Sequence, residues 1–141
     1  VTGVPGAREV RGGRFLYHSN YYDGPISGVM ETEDGRRYWF DTDAEYRPDQ
    51  GYSYLLYDLT PEEWKLEDRR HALFREHVGT HCDYDERGRR DHNGVRPRAE
   101  WSKFYDDPDL GGYRGRNDRF NYSVREPVAK WNGPQRKAKT S

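Results

Sequence analysis

Aliphatic side chains, cysteine and long apolar runs are all scarce in this chain. Apolar residues fill 32% of 141 positions, below the roughly 45–50% of ordinary globular chains, a range that also counts glycine. A large aliphatic core is thereby excluded. The single cysteine, Cys82, excludes an intrachain disulfide and leads to the expectation of a reducing compartment such as the cytoplasm. No stretch approaches the roughly 20 apolar residues of a membrane-spanning helix, so no membrane partner is expected. No apolar run of leader length opens the sequence. Neither a Gly-x-Ser-x-Gly elbow nor a Gly-x-x-x-x-Gly-Lys phosphate loop is present, and the motifs favour a non-enzymatic protein.

Aromatic residues and charge are plentiful. The 12 Tyr, 5 Phe and 4 Trp outnumber Val, Leu, Ile and Met together. Each aromatic ring can bury about 150–250 Å², so few are needed for a small core. Charged residues make up 35% and the net charge is −1. The signs are unevenly placed: residues 79–141 carry 14 basic and 10 acidic side chains. That mild basic bias admits nucleic acid as a partner without naming it.

The pattern predicts a small α+β domain: a mostly antiparallel four-stranded sheet, one amphipathic helix and a long irregular C-terminal extension. Residues 1–13, with four Gly and one Pro, read as a flexible arm. Residues 14–79 read as the core and 80–141 as a loop-rich extension. Strands are expected at Phe15–His18, Ser27–Glu33, Arg37–Phe40 and Tyr52–Leu59. The Asp34-Gly35 pair predicts a two-residue type I′ hairpin between the second and third. The fourth is apolar on both faces, which suits a central position.

The helix has the most specific signals. Thr60, Pro61 and Glu63 form an N-cap, an N1 proline and a capping box. Trp64, His71, Phe74 and Val78 make an apolar stripe flanked by Leu66 and Leu73. Lys65, Asp68, Arg69 and Arg75 fall on the opposite, solvated face. Gly79 is the expected stop. Beyond it the only aliphatics are Val95, Leu110, Val124 and Val128, with Trp101, Phe104, Phe120 and Trp131 as scattered anchors. The stretch from Trp101 to Tyr105 suits one helical turn. So polar a segment cannot offset its own ordering entropy without a surface to pack on.

Several constellations could carry chemistry. His77, His81, Cys82 and His92 are the densest set of metal-ligand types, and zinc is the ion they would suit. No Cys-x-x-Cys or second ligand pair accompanies them, so a basic helix end is the simpler reading. Asp83, Asp85, Asp91 and His92 could serve a metal-dependent hydrolase. Asp83 to Gly88 also resembles the opening of a calcium loop, but Arg87 and Gly94 stand where ligands belong. Arg114, Arg116, Arg119 and Phe120, with Arg89 and Arg90, interleave Arg, Gly and aromatics as RNA- or DNA-binding segments do. Tyr21, Tyr22 and Asp23 form a candidate aromatic binding loop.

Tyr21-Tyr22-Asp23-Gly24-Pro25-x-x-Gly28, Phe74-Arg-x-His77-Val78-Gly79-Thr80-His81, Asp83-Tyr84-Asp85 and Glu100-Trp101-x-Lys103-Phe104-Tyr105 together resemble small uncharacterised proteins of high-GC bacteria and their phages, over residues 14–106. The resemblance implies a phage or mobile-element setting and no catalytic residue. The expectation is a binding or assembly protein whose polar extensions wrap a protein partner or larger complex. A nucleic-acid accessory and a metal-dependent hydrolase are the alternatives.

Overall fold

The computed structural model describes residues 8–21, 25–42, 53–91, 94–110, 120 and 122–133, the side chains of Asn20 and Tyr21 excepted. Its strands are β1 (Arg8–Val10), β2 (Arg14–Tyr21), β3 (Pro25–Glu31), β4 (Arg37–Thr42), β5 (Ser53–Tyr57) and β6 (Ala129–Asn132). Its helices are α1 (Pro61–His77) and α2 (Arg98–Tyr105), with a 3-10 helix at Tyr122–Val124. The described strands form one sheet in the order β1-β6-β5-β4-β3-β2. All neighbours are antiparallel except β1 and β6, which pair in parallel with Arg8 opposite Ala129. The fold is therefore α+β as expected, but among the described residues the sheet is mixed and six-stranded and there are two α-helices.

The two edge strands, β1 and β2, are joined by Arg11, Gly12 and Gly13 alone. A flat six-stranded sheet would hold its edges about 24 Å apart. Four residue steps reach at most about 14 Å. The sheet must therefore roll until its edges approach, and the interior shows that it does. Phe15 of β2 meets Trp131 of β6 with ring centroids 5.0 Å apart. Phe40 and Tyr54 lie 5.1 and 5.7 Å from Phe15. Val10, Met30, Tyr38, Leu56 and Ala129 complete this inner cluster. Its polar atoms are satisfied locally: Trp131 Nε1 donates to Gly12 O at 2.6 Å, and Tyr54 Oη donates to Pro25 O at 2.6 Å. Gly12 and Gly13 have φ of 68° and 83°, a left-handed corner that glycine alone adopts without strain. The expected flexible arm at 1–13 thus contributes an edge strand and this corner, while residues 1–7 lie outside the described residues.

β5 is internal, as its two apolar faces implied. Tyr54 and Leu56 point inward, Leu55 and Tyr57 outward. In β2 the inward Phe15 and outward Tyr17 would share a face of a regular strand. A bulge between them resolves the conflict. The hairpin of β3 and β4 forms as expected, but its turn differs. Gly35 N–H donates to Thr32 O at 3.0 Å and Thr32 N–H to Arg36 O at 2.8 Å. The loop is Glu33-Asp34-Gly35, with glycine at its last position (φ 88°), the three-residue form with a bulge.

Helix α1 covers the outer face of the sheet. Thr60 Oγ1 accepts from Glu63 N–H, and Glu63 Oε1 accepts from Thr60 N–H at 2.8 Å, so the capping box is complete. Lys65, Asp68, Arg69 and Arg75 are exposed as expected. Gly79 follows the C-cap Val78 with φ 131°, and a Cβ there would meet Val95 at 2.6 Å. The helix stop is also where the 94–96 segment crosses. The C-terminal stretch is less irregular than expected. α2 packs Phe104 on Phe74 and Val78, and Leu110, Phe120 and Tyr122 pack over Trp39 and Tyr57. The solvent-poor surfaces these anchors need are the outer face of the sheet for Leu110, Phe120 and Tyr122 and helix α1 for Phe104.

At Gly13 a Cβ would stand 2.8 Å from Glu31 O, whereas at Gly35 it would meet nothing within 4 Å. Gly13→Ala is expected to cost about 2–3 kcal/mol, combining backbone strain with the collision, and Gly35→Ala about 1 kcal/mol from strain alone. Urea unfolding of the two variants measures the difference.

Candidate functional site

Two polar clusters meet where α1, β2 and the loop 80–91 come together. The first is centred on Glu67, which is 0% exposed. It projects from α1 onto the outer face of the sheet. Tyr17 Oη donates to Oε1 at 2.9 Å and Tyr122 Oη to Oε2 at 3.3 Å. Arg70 Nη2 donates to Oε1 at 3.1 Å, and its guanidinium lies 4.8 Å over the Phe120 ring. Burial and the neighbouring Glu67 carboxylate raise the phenol pKa of both Tyr17 and Tyr122, so both hydroxyls remain donors. Burial works against the charge on Arg70, and Glu67 together with Tyr17 and Tyr122 more than offsets it.

The second cluster fastens the loop 80–91 to the edge of β2. His18 N–H donates to Cys82 O and Tyr84 N–H to Leu16 O, both at 2.9 Å. This short antiparallel bridge, with Tyr17 opposite Asp83, covers part of an edge that would otherwise invite pairing. Asp83 ties the same loop to α1. Its Oδ2 lies 3.1 Å from Arg75 Nε and its Oδ1 3.0 Å from His71 Nε2. Oδ1 receives no aligned hydrogen bond, so the histidine contact is one of proximity. The His71 ring stacks on Tyr17 at 3.7 Å. His18, 5% exposed, turns inward to Tyr84 Oη at 3.2 Å. Burial first, then Arg90 and His81, push its pKa down from 6.5 to about 3.

Those residues singled out in the sequence that the structure describes are dispersed. His77 ends α1, with Nε2 3.8 Å from Glu76 Oε2. The His81 ring stacks on Trp101, centroids 5.7 Å apart. Burial pushes the Cys82 thiol up to about 12, so it stays protonated. Among the described residues no group of three or more His, Cys, Asp or Glu is placed to hold a metal; His92 lies outside them. The aspartates of the hydrolase reading serve separate ends. Asp83 pairs with α1, while Asp85 Oδ1 accepts from Arg87 and Arg89 N–H in the turn that Gly88 closes. Of the basic set, Arg89 Nε pairs with Asp85 at 3.2 Å and Arg90 Nη2 donates to His81 O at 3.3 Å. Phe120 is 4% exposed, in the outer cluster. Tyr21 ends β2. Tyr22, Asp23, Arg114, Arg116 and Arg119 lie outside the described residues. No described helix is long and apolar enough to cross a membrane.

Sequence reasoning missed Glu67, Arg70, His18 and Tyr122. For Glu67 a signal existed: the series Trp64, Glu67, His71, Phe74, Val78 advances by three and four residues, so Glu67 lies on the inward stripe. No family model, curated protein or solved structure matches the chain.

Glu67→Ala strands Arg70 and two phenols in the core and is expected to cost about 3–5 kcal/mol in urea unfolding. Acid is expected to destabilise the protein in two stages. The unfolded chain protonates His18 below pH 6.5, whereas the folded one does so only near 3, so stability falls across that window. Glu63, held down to about 2 chiefly by Arg125, adds a second loss from about pH 4.5 downward. His18→Phe should flatten the curve between pH 6.5 and 4.5 and make the fall below 4.5 shallower, with the Glu63 loss remaining, as read from the urea midpoint against pH.

Proposed function

We propose that the protein is a non-enzymatic binding or assembly protein that engages a protein partner through surfaces and end segments outside its rolled sheet. The observation that carries this reading is the filled interior. Phe15, Phe40, Tyr54 and Trp131 contact one another there, and all are at most 7% exposed. The inside of the sheet is core, so recognition belongs to the outside. The chemistry-bearing groups nearest the surface support the same reading: Asp83, His71 and Arg75 tie the 80–91 loop to α1, and Arg125 ties the C-terminal stretch to Glu63 at 2.7 Å. The polar segment 134–141, with three basic residues and no acidic one, follows β6 in the chain. Segments of such composition order on contact with a partner and can wrap a broad surface.

Affinity capture with the full chain and with a chain ending at Gly133 tests the proposal. A stoichiometric protein partner is expected with the full chain and lost with the shorter one, at unchanged melting temperature. Equal retention by both chains overturns the role of the C-terminal segment. A captured component that is nucleic acid, released along a linear log–log dependence on salt, overturns the choice of a protein partner.

A further inference from the structure

We infer that the groove between β1 and the β3–β4 turn is a binding site for a phosphate group. The groove measures about 260 Å³ and lies at one end of the rolled sheet, over Tyr38. Arg8, Arg11 and Arg36 line it, and none of the three is in an ion pair with a described carboxylate. Arg8 Nη2 instead donates to Tyr38 Oη at 2.6 Å. The Arg36 guanidinium stands 5.3 Å from the Tyr38 ring centroid. Tyr38 is 1% exposed, and its hydroxyl accepts from Arg8 while keeping its own hydrogen to donate. One phenolic O–H and three guanidinium groups therefore border one concavity, and the fork of guanidinium donors matches phosphate oxygens.

Three carboxylates share the rim, and each has other contacts. Asp34 accepts from Thr32 Oγ1 inside the turn, and this bond first, then the neighbouring Arg36, holds its pKa down. Glu9 Oε1 accepts from Asn132 Nδ2 at 3.4 Å. The Glu33 carboxylate lies against Gly12, where it would collide with any Cβ. None of them is within ion-pair distance of the three arginines. The groove suits a single phosphate group and is too small to enclose a whole nucleotide, so the rest of the ligand would lie outside. A mouth at the end of a barrel-like sheet is a common place for such a site. The inference is independent of the partner proposed above, because it uses no residue of the segments 1–7 and 134–141.

Titration calorimetry with pyrophosphate at constant ionic strength tests it. Saturable binding is expected. Arg11→Gln combined with Arg36→Gln should weaken it at least about tenfold, the size of one charge-assisted hydrogen bond. Both side chains are exposed, so the variant should melt as the parent does. Tyr38→Phe keeps the core ring and should weaken binding by a smaller factor. A single-stranded decanucleotide that competes with pyrophosphate would identify a nucleic-acid strand as the source of the phosphate. Pyrophosphate binding without that competition would identify a small phosphorylated molecule. Absence of saturable pyrophosphate binding, or binding that the double arginine variant leaves unchanged, overturns the inference.

Discussion

The architecture depends on one constraint of reach. Three residues join strands that lie at opposite edges of a six-stranded sheet, and no flat sheet allows that. Rolling follows, and an interior follows from rolling. With so few aliphatics, that interior is filled by rings in tilted and edge-to-face contact, arrangements that aromatic quadrupoles favour. The corner also satisfies the largest of those rings, since Gly12 O takes the indole N–H of Trp131. The outer layer then has a convex surface to cover; α1 and the C-terminal turn cover it, and α2 packs on α1.

Within that outer layer the apolar contacts are interrupted by a charge. Glu67 and its three donors occupy ground that a leucine could fill. Buried ion pairs of this kind seldom add net stability over an apolar replacement, but they penalise a mispacked arrangement heavily. A slip of α1 along the sheet would strand Glu67 from Tyr17 and Tyr122 together. The network therefore fixes the seat of a helix whose apolar stripe is thin.

Local features were legible in the sequence. The capping box, the Gly79 stop and the exposed face of α1 depend on neighbours in the chain, and residues 60–79 state them. The internal position of β5 was legible because both its faces are apolar. β1 and β6 were not, because three and four residues are too few to display an alternation. Gly12-Gly13 read as looseness, since composition does not distinguish a flexible glycine from one required at positive φ. Glu67 lay on the inward stripe by spacing, yet its place there depends on phenols 50 and 55 residues away. The His77, His81 and Cys82 cluster was dense only along the chain; in space the three form no metal-holding group, and the His81 ring and Cys82 thiol serve packing.

The parallel pairing of β1 with β6 has a consequence for synthesis. Gly12 and Trp131, the partners at the corner, are 119 residues apart. At 5–20 residues per second, a ribosome needs roughly 6–24 s to make the intervening chain. Throughout that time β1 waits without a partner, and the aromatic interior lacks its largest ring. The sheet can close only after β6 has emerged, and until then the nascent chain exposes the rings that the finished form hides.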